Sequence, residues 1–300
     1  CSSAMDVASE AELNNAILCH NAATSGPQTI NITADITLTA STTQIDRSDP
    51  STTLQINGNN NTVNGDGKGR VFTVTDTQAI FEDITITNGT SNQGGGLWVG
   101  VAGVVAVRDS TISNNQSSSL GGGIYVASGG TLILTNVDVL NNSATGFGGA
   151  IENFGTMLIS SGSVISGNSS ATAGAIDNEG TMTISQSTLE NNTATANGGA
   201  LVSYKELTIN RSTIANNRSE GAGGAIQVAF GSTMTMNNST VTGNSANSTG
   251  AITSTSDGTT MTINSSTIAF NSSDTDRPGG VGTGGQRSEE RRVGKECRSR

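Results

Sequence analysis

Residues 148–168 read GGAIENFGTMLISSGSVISGN, and residues 173–192 read AGAIDNEGTMTISQSTLENN. Laid over one another, the strings share three features. Each begins with a Gly/Ala box that ends in an aliphatic residue, Ile151 or Ile176. An alternating apolar run follows, Met157/Ile159 or Met182/Ile184, and a second box closes on Asn168 or Asn192. The pattern continues outward in both directions. The first box opens at Gly94, Gly121, Gly148, Ala173, Gly198, Gly223 and Thr249, at intervals of 27, 27, 25, 25, 25 and 26 residues. The second closes at Asn115, Asn142, Asn168, Asn192, Asn217, Asn244 and Asn271. Between them lie Val105/Val107, Leu132/Leu134, Leu207/Ile209, Met234/Met236 and Met261/Ile263.

Apolar residues at every second position mark half-buried strands. Gly and Asn between them tolerate positive φ and suit sharp corners. No proline occurs between Pro50 and Pro278, as expected where each backbone N–H donates to a neighbouring strand. A unit this short cannot bury its apolar side alone, whereas copies stacked at ~4.8 Å can. The reading is an all-β, single right-handed parallel β-helix of nine or ten coils, about 26 residues and three short strands per coil. The hand follows the usual chirality of parallel crossovers. A leucine-rich repeat would need a Leu-rich consensus and a helical segment per unit, and neither is present.

The composition agrees. The apolar set is 33% of the 300 residues and the aromatics only 3%, while Ser, Thr and Asn together number 111. A narrow interior column with a hydroxyl-coated exterior accommodates such a chain. No run of 18 apolar residues occurs, so no spanning helix is expected. The net charge of −10 argues against binding nucleic-acid phosphates.

The ends differ from the repeats. Ser9-Glu10-Ala11-Glu12 reads as a capping box for a helix that places Leu13, Ala16 and Ile17 on one face, a plug for the open end of the solenoid. Residues 1–28 are therefore taken as an N-terminal arm with its cap helix, and 29–286 as the β-helix. The segment 287–300, RSEERRVGKECRSR, carries nine charges in fourteen residues and resembles the translation of a sequencing adapter. It is expected to be a non-native tail, with the natural C-terminus and any anchor missing.

The opening SEAELNNAI…GPQTINI…DITLT, the segment LQINGNNNTVNGDG and the GGAI-type units resemble bacterial surface β-helix proteins. They are also similar to the GGAI and FxxN repeats of polymorphic outer-membrane proteins. The Phe of that FxxN box is replaced here by Ile112, Val139, Ile165, Leu189, Ile214, Val241 or Ile268. The resemblance spans roughly residues 5–286. It implies export, display outside the cell or on the outer membrane, and an adhesin-like or stalk role with carbohydrate or cell-surface protein partners; it implies no oligomeric state.

Chemistry has few places to sit. In register, the residues after each box aliphatic form an outward column: Trp98, Tyr125, Glu152, Asp177, Val202, Gln227 and Thr253. Glu152 and Asp177 are one coil apart, ~4.8 Å between backbones, close to the separation that retaining glycosidases use for their two carboxylates. Trp98 and Tyr125 precede them and are suited to stacking on sugar rings. The competing expectation is that these acids are solvated residues at a strand exit, which makes the leading function non-enzymatic, with a polysaccharide-degrading enzyme or a plain spacer as alternatives. Lys205, Arg211 and Arg218 fall on different faces, and the only histidine, His20, is expected to be a partly exposed cap residue.

The repeated Asn is expected to form an interior amide ladder. Asn64-Gly65-Asp66-Gly67-Lys68-Gly69 has the flavour of a calcium loop, but Thr75 stands where the bidentate Glu belongs. No metal site and no cofactor are expected. Cys1 and Cys19 read either as a disulfide tying the arm to the cap, or as a lipidated Cys1 beside a free Cys19, which would be the one route to a membrane apart from a missing anchor.

Overall fold

The computed structural model describes residues 2–23, 26–47, 52–229, 231–255, 258–274 and 279–283. Cys1 and the 287–300 segment lie outside them.

One regular coil runs as follows. Strand Ile151–Asn153 bends at Phe154 and Gly155 into Thr156–Ser160, turns through Ser161 and Gly162 into Val164–Ser166, and passes Asn168 into Ser169–Ser170. A Gly/Ala corner then leads to Ile176–Asn178, one coil on. This coil and the later ones carry four short strands, whereas the coils holding Val104–Ser113 and Thr131–Leu140 carry the three expected, run and box there forming one unbroken strand. The Met/Ile run and the following box lie on the same sheet, parted by one left-handed residue, Gln186, Arg211, Asn238 or Ser265, or by two at Ser161 and Gly162. The period-2 pattern does not reveal that break.

The strands stack into three parallel sheets of 19, 10 and 8 strands. The broad sheet takes two strands per coil, the ten-stranded sheet takes the box aliphatics, and the narrow one takes the short strand after each Asn. One strand per coil in the ten-stranded sheet counts about ten coils. Register is strict: Ile124, Ile151, Ile176, Leu201, Ile226 and Ile252 pair in sequence from coil to coil. Side chains such as Ile151, Met157, Ile159 and Ile165 fill the interior and are buried. Burial of each aliphatic side chain contributes roughly 1.5–3 kcal/mol.

The Asn column is an inner ladder, as expected. Asn168 donates its backbone N–H (3.0 Å) and its Nδ2 (2.9 Å) to Asn192 Oδ1. Its Nδ2 also reaches back to the Val139 carbonyl at 3.0 Å. The same bonds recur along Asn115, Asn142, Asn192, Asn217, Asn244 and Asn271. A second ladder was not foreseen: the Oγ of Ser212, Ser239 and Ser266 each accepts the backbone N–H of the serine one coil earlier, at 3.1–3.2 Å. The repeated Ser before each ST-type box was its visible signal.

At the N-terminal end, Ala4–Val7 pairs in parallel with Gln28–Ile32, and helix Glu10–Ala22 follows it. Ser9 caps the helix, with Glu12 Oε2 accepting from the Ser9 hydroxyl (3.0 Å) and the Ala8 amide (2.9 Å). Leu13, Ala16 and Ile17 are buried on the core. So is His20, which corrects the expectation of partial exposure: neither ring nitrogen has a hydrogen-bond partner. Cys19 is disulfide-bonded. No helix among the described residues is long and apolar enough to cross a membrane.

Candidate functional site

The column predicted on the outer side of the ten-stranded sheet is present. Trp98, Tyr125, Glu152, Asp177 and Val202 pair in register on consecutive strands. Alternation turns their neighbours Ile151 and Asn153 into the core and these side chains away from it.

The expected solvation of the acids is wrong. Glu152 and Asp177 are each only 1% exposed. The cause lies in the box that precedes each strand. Its first glycine has a left-handed φ, +57° at Gly121 and +59° at Gly148, which folds the chain back over the strand. A Cβ at Gly148 would lie 2.2 Å from the Ile151 carbonyl oxygen and 3.1 Å from the Glu152 nitrogen, so a side chain at this corner would force its neighbours to shift. Ala173 holds the same conformation before Asp177, at φ +60° and with a Cβ.

A second column flanks the acids. Phe154, Glu179 and Tyr204 occupy the position just after each strand, with their amides bonded to the preceding coil at 2.8 Å. All three are half-buried. Trp98 and Tyr125 stack with centroids 6.1 Å apart and planes 3° from parallel, and Tyr125 meets Phe154 at 5.7 Å. The site is therefore a carboxyl pair beneath an aromatic rim, with Glu179 at its margin. Sequence reasoning named four members and missed Phe154, Glu179 and Tyr204, although their shared register position, three after the box aliphatic, was available as a signal.

Burial governs the electrostatics. It raises the pKa of Glu152 far above the carboxylate range, and Asp177 and Glu179 add to the rise. Burial likewise raises Asp177, and Glu179 contributes. Glu152 Oε2 and both oxygens of Asp177 lack a hydrogen-bond partner. Two carboxyls this close in an apolar setting do not both ionise at neutral pH. Burial and the same carboxylates push Tyr204 up to about 12.

The guanidinium at the aromatic rim is committed elsewhere. The Arg70 guanidinium lies 5.8 Å from the Trp98 ring and bonds the Gln93 and Gly94 carbonyls, Ser91 and Thr73. Among the described residues no three His, Cys, Asp or Glu converge on a metal position. Asn153 and Asn178, which follow the acids, turn inward and bond each other at 2.7 Å.

The sequence matches the family described as right handed beta helix region over residues 47–204 and 117–268, and the chain belongs to that family. No curated protein matches it in sequence. Among solved structures it is similar to an alginate lyase from Paenibacillus sp. str. FPU-7, at 15% identity and a TM-score of 0.54, over 95% of this chain and 99% of that one. At this identity the likeness speaks for the fold.

Proposed function

We propose that this protein is a polysaccharide-degrading enzyme, exported from the cell, that cleaves glycosidic bonds over the Glu152–Asp177 pair. One observation carries the reading: two carboxyls on neighbouring strands are buried, with Glu152 Oε2 and both oxygens of Asp177 lacking a hydrogen-bond partner. A purely structural column would gain by replacing them, because burying unpartnered carboxyls costs free energy. The resulting proton-holding pair suits acid–base work. One carboxyl gives its proton to the bridging oxygen as the bond to the anomeric carbon breaks. The other, Asp177, once ionised as pH approaches about 8, stabilises or attacks that carbon before water completes hydrolysis.

Hydrolysis is favoured over elimination, since elimination from a uronate calls for a cation to neutralise its carboxylate, and Arg70 is engaged by backbone carbonyls. Trp98, Tyr125, Phe154 and Tyr204 supply stacking surfaces for sugar rings. The disulfide at Cys19 supports an oxidising compartment.

The depth of the acids favours a second reading. A glycan first meets the aromatic rim, and an adhesin-like surface protein would use the rim alone. Incubation with a polysaccharide panel separates the two. Hydrolysis yields new reducing ends, reduced on the order of 10²-fold or more in Glu152→Gln or Asp177→Asn, with binding kept. Tyr125→Ala weakens binding in either case. Retention by the rim with no cleavage by the wild-type protein would leave the adhesin-like reading standing.

A further inference from the structure

A shallow, open groove of about 430 Å³ lies away from the aromatic rim, at the corner between the broad and narrow sheets. Asp66, Asn88, Asn114, Asn141, Gln116 and Ser143 line it, contributed by four successive coils. At ~4.8 Å per coil it extends roughly 14 Å along the solenoid axis. Asn88, Asn114 and Asn141 are the exposed corner residues just before the ladder column. Their left-handed φ values of +53°, +56° and +54° place them alike in each coil.

The end wall is the Asn64–Gly69 turn, whose calcium-loop flavour found no use above. It is firmly held. Asn64 Oδ1 accepts from the Asp66 amide (2.9 Å) and from Asn88 Nδ2 (3.1 Å). Thr90 Oγ1 donates to the Gly67 carbonyl at 3.0 Å, and a Cβ on Gly65 would come within 2.7 Å of Gly89 Cα. The turn thus packs against the next coil and aligns Asp66 with the amide row.

The chemistry of the lining restricts the ligand. The side chains of Asp66, Gln116, Asn141 and Ser143 make no hydrogen bond within the protein, so a row of amide donors and acceptors, a hydroxyl and a carboxylate faces the groove. No cation lines it, and the net charge is −10, which disfavours phosphates and polyuronates. No apolar side chain lines it either, which disfavours lipid and hydrophobic peptides. A ligand with adjacent hydroxyls, uncharged and extended along the axis, satisfies this set. We infer that the groove is a second carbohydrate-binding site, taking a segment of a neutral glycan and separate from the aromatic rim.

The test uses the full chain and calorimetric titration with cellohexaose, mannohexaose and laminarihexaose, with an oligogalacturonate as the charged comparison. Gln116→Leu combined with Asn141→Gly removes two amides while keeping the left-handed corner, and unchanged melting verifies the fold. The expected result, read in a Trp98→Ala background that removes the rim's share, is binding of at least one neutral hexaose, weakened tenfold or more when the double variant is added, and no binding of the oligogalacturonate. No binding of any neutral hexaose, or binding lost in Trp98→Ala and unaffected by the double variant, overturns the inference. Reducing-end release, read separately with Glu152→Gln, reports on the hydrolytic reading and not on this one.

Discussion

Glu152 and Asp177 remain protonated in the fold at a pH where the unfolded chain ionises them, so they couple stability to pH. The sign follows from their raised pKa values. Their stabilising share is full below about pH 4, where both states are protonated, and is lost as pH rises toward about 8, where Asp177 ionises in the fold. Glu152→Gln removes an acid that resists ionisation while keeping its shape. The variant is expected to exceed the wild type by about 1–3 kcal/mol at pH 8 and to match it near pH 4 in urea melts; an advantage independent of pH would remove the burial argument. His20 carries the opposite sign. Burial, with Arg47 adding, lowers its pKa to about 4. Stability is then lost as pH falls from about 6.5 toward 4. His20→Leu should flatten that acid limb in thermal melts between pH 7 and pH 4. Neither acid's burial was legible in the sequence. It depends on left-handed Gly/Ala corners folding back over a strand and on the flanking column of Phe154, Glu179 and Tyr204. Both arise from contacts between coils, whereas the alternation of Ile151, Glu152 and Asn153 shows only which way each side chain points.

The elements were more readable, because strands in register impose the same demand on every coil. The Asn box, the Gly box and the alternating run recur for that reason, and Ser9 with Glu12 announced the helix start. The split within the broad sheet escaped notice, since one left-handed residue such as Gln186 leaves the apolar rhythm almost intact. The ladder gives the clearest prediction at this scale. Asn192→Ala takes the acceptor from both Asn168 donors and leaves the Asn217 oxygen with the backbone N–H of residue 192 alone. The cost is about 3 kcal/mol, a fall in Tm of roughly 6–12 °C. Asn192→Asp keeps the acceptor but places a charge in the ladder, and is expected to lose as much or more at neutral pH. A Tm change under 2 °C for Asn192→Ala would show that the column is not a working hydrogen-bond chain.

Across the whole molecule, each coil touches only its neighbours, and stability is a sum of nearest-neighbour interfaces. Damage should therefore be local. Ile226→Asp places a charge in the interior of one coil. Hydrogen exchange is expected to speed up by orders of magnitude in that coil and the two beside it, while Ile56 and its surroundings keep their protection. Uniform loss of protection from Ile30 to Ile252 would instead mean a single cooperative unit.

The ladder also has a direction. From amide to amide the donation runs one way, each Nδ2 giving to the Oδ1 of the later coil from Asn115 through to Asn271, while its other bond reaches back to a carbonyl of the earlier coil. The row is a file of dipoles aligned head to tail, so the solenoid is electrically polar along its length even where its surface is neutral. A duplicated coil can join anywhere in that file only if it brings its own amide in the same orientation. One that does not would divide the molecule into two shorter, separately polarised rods.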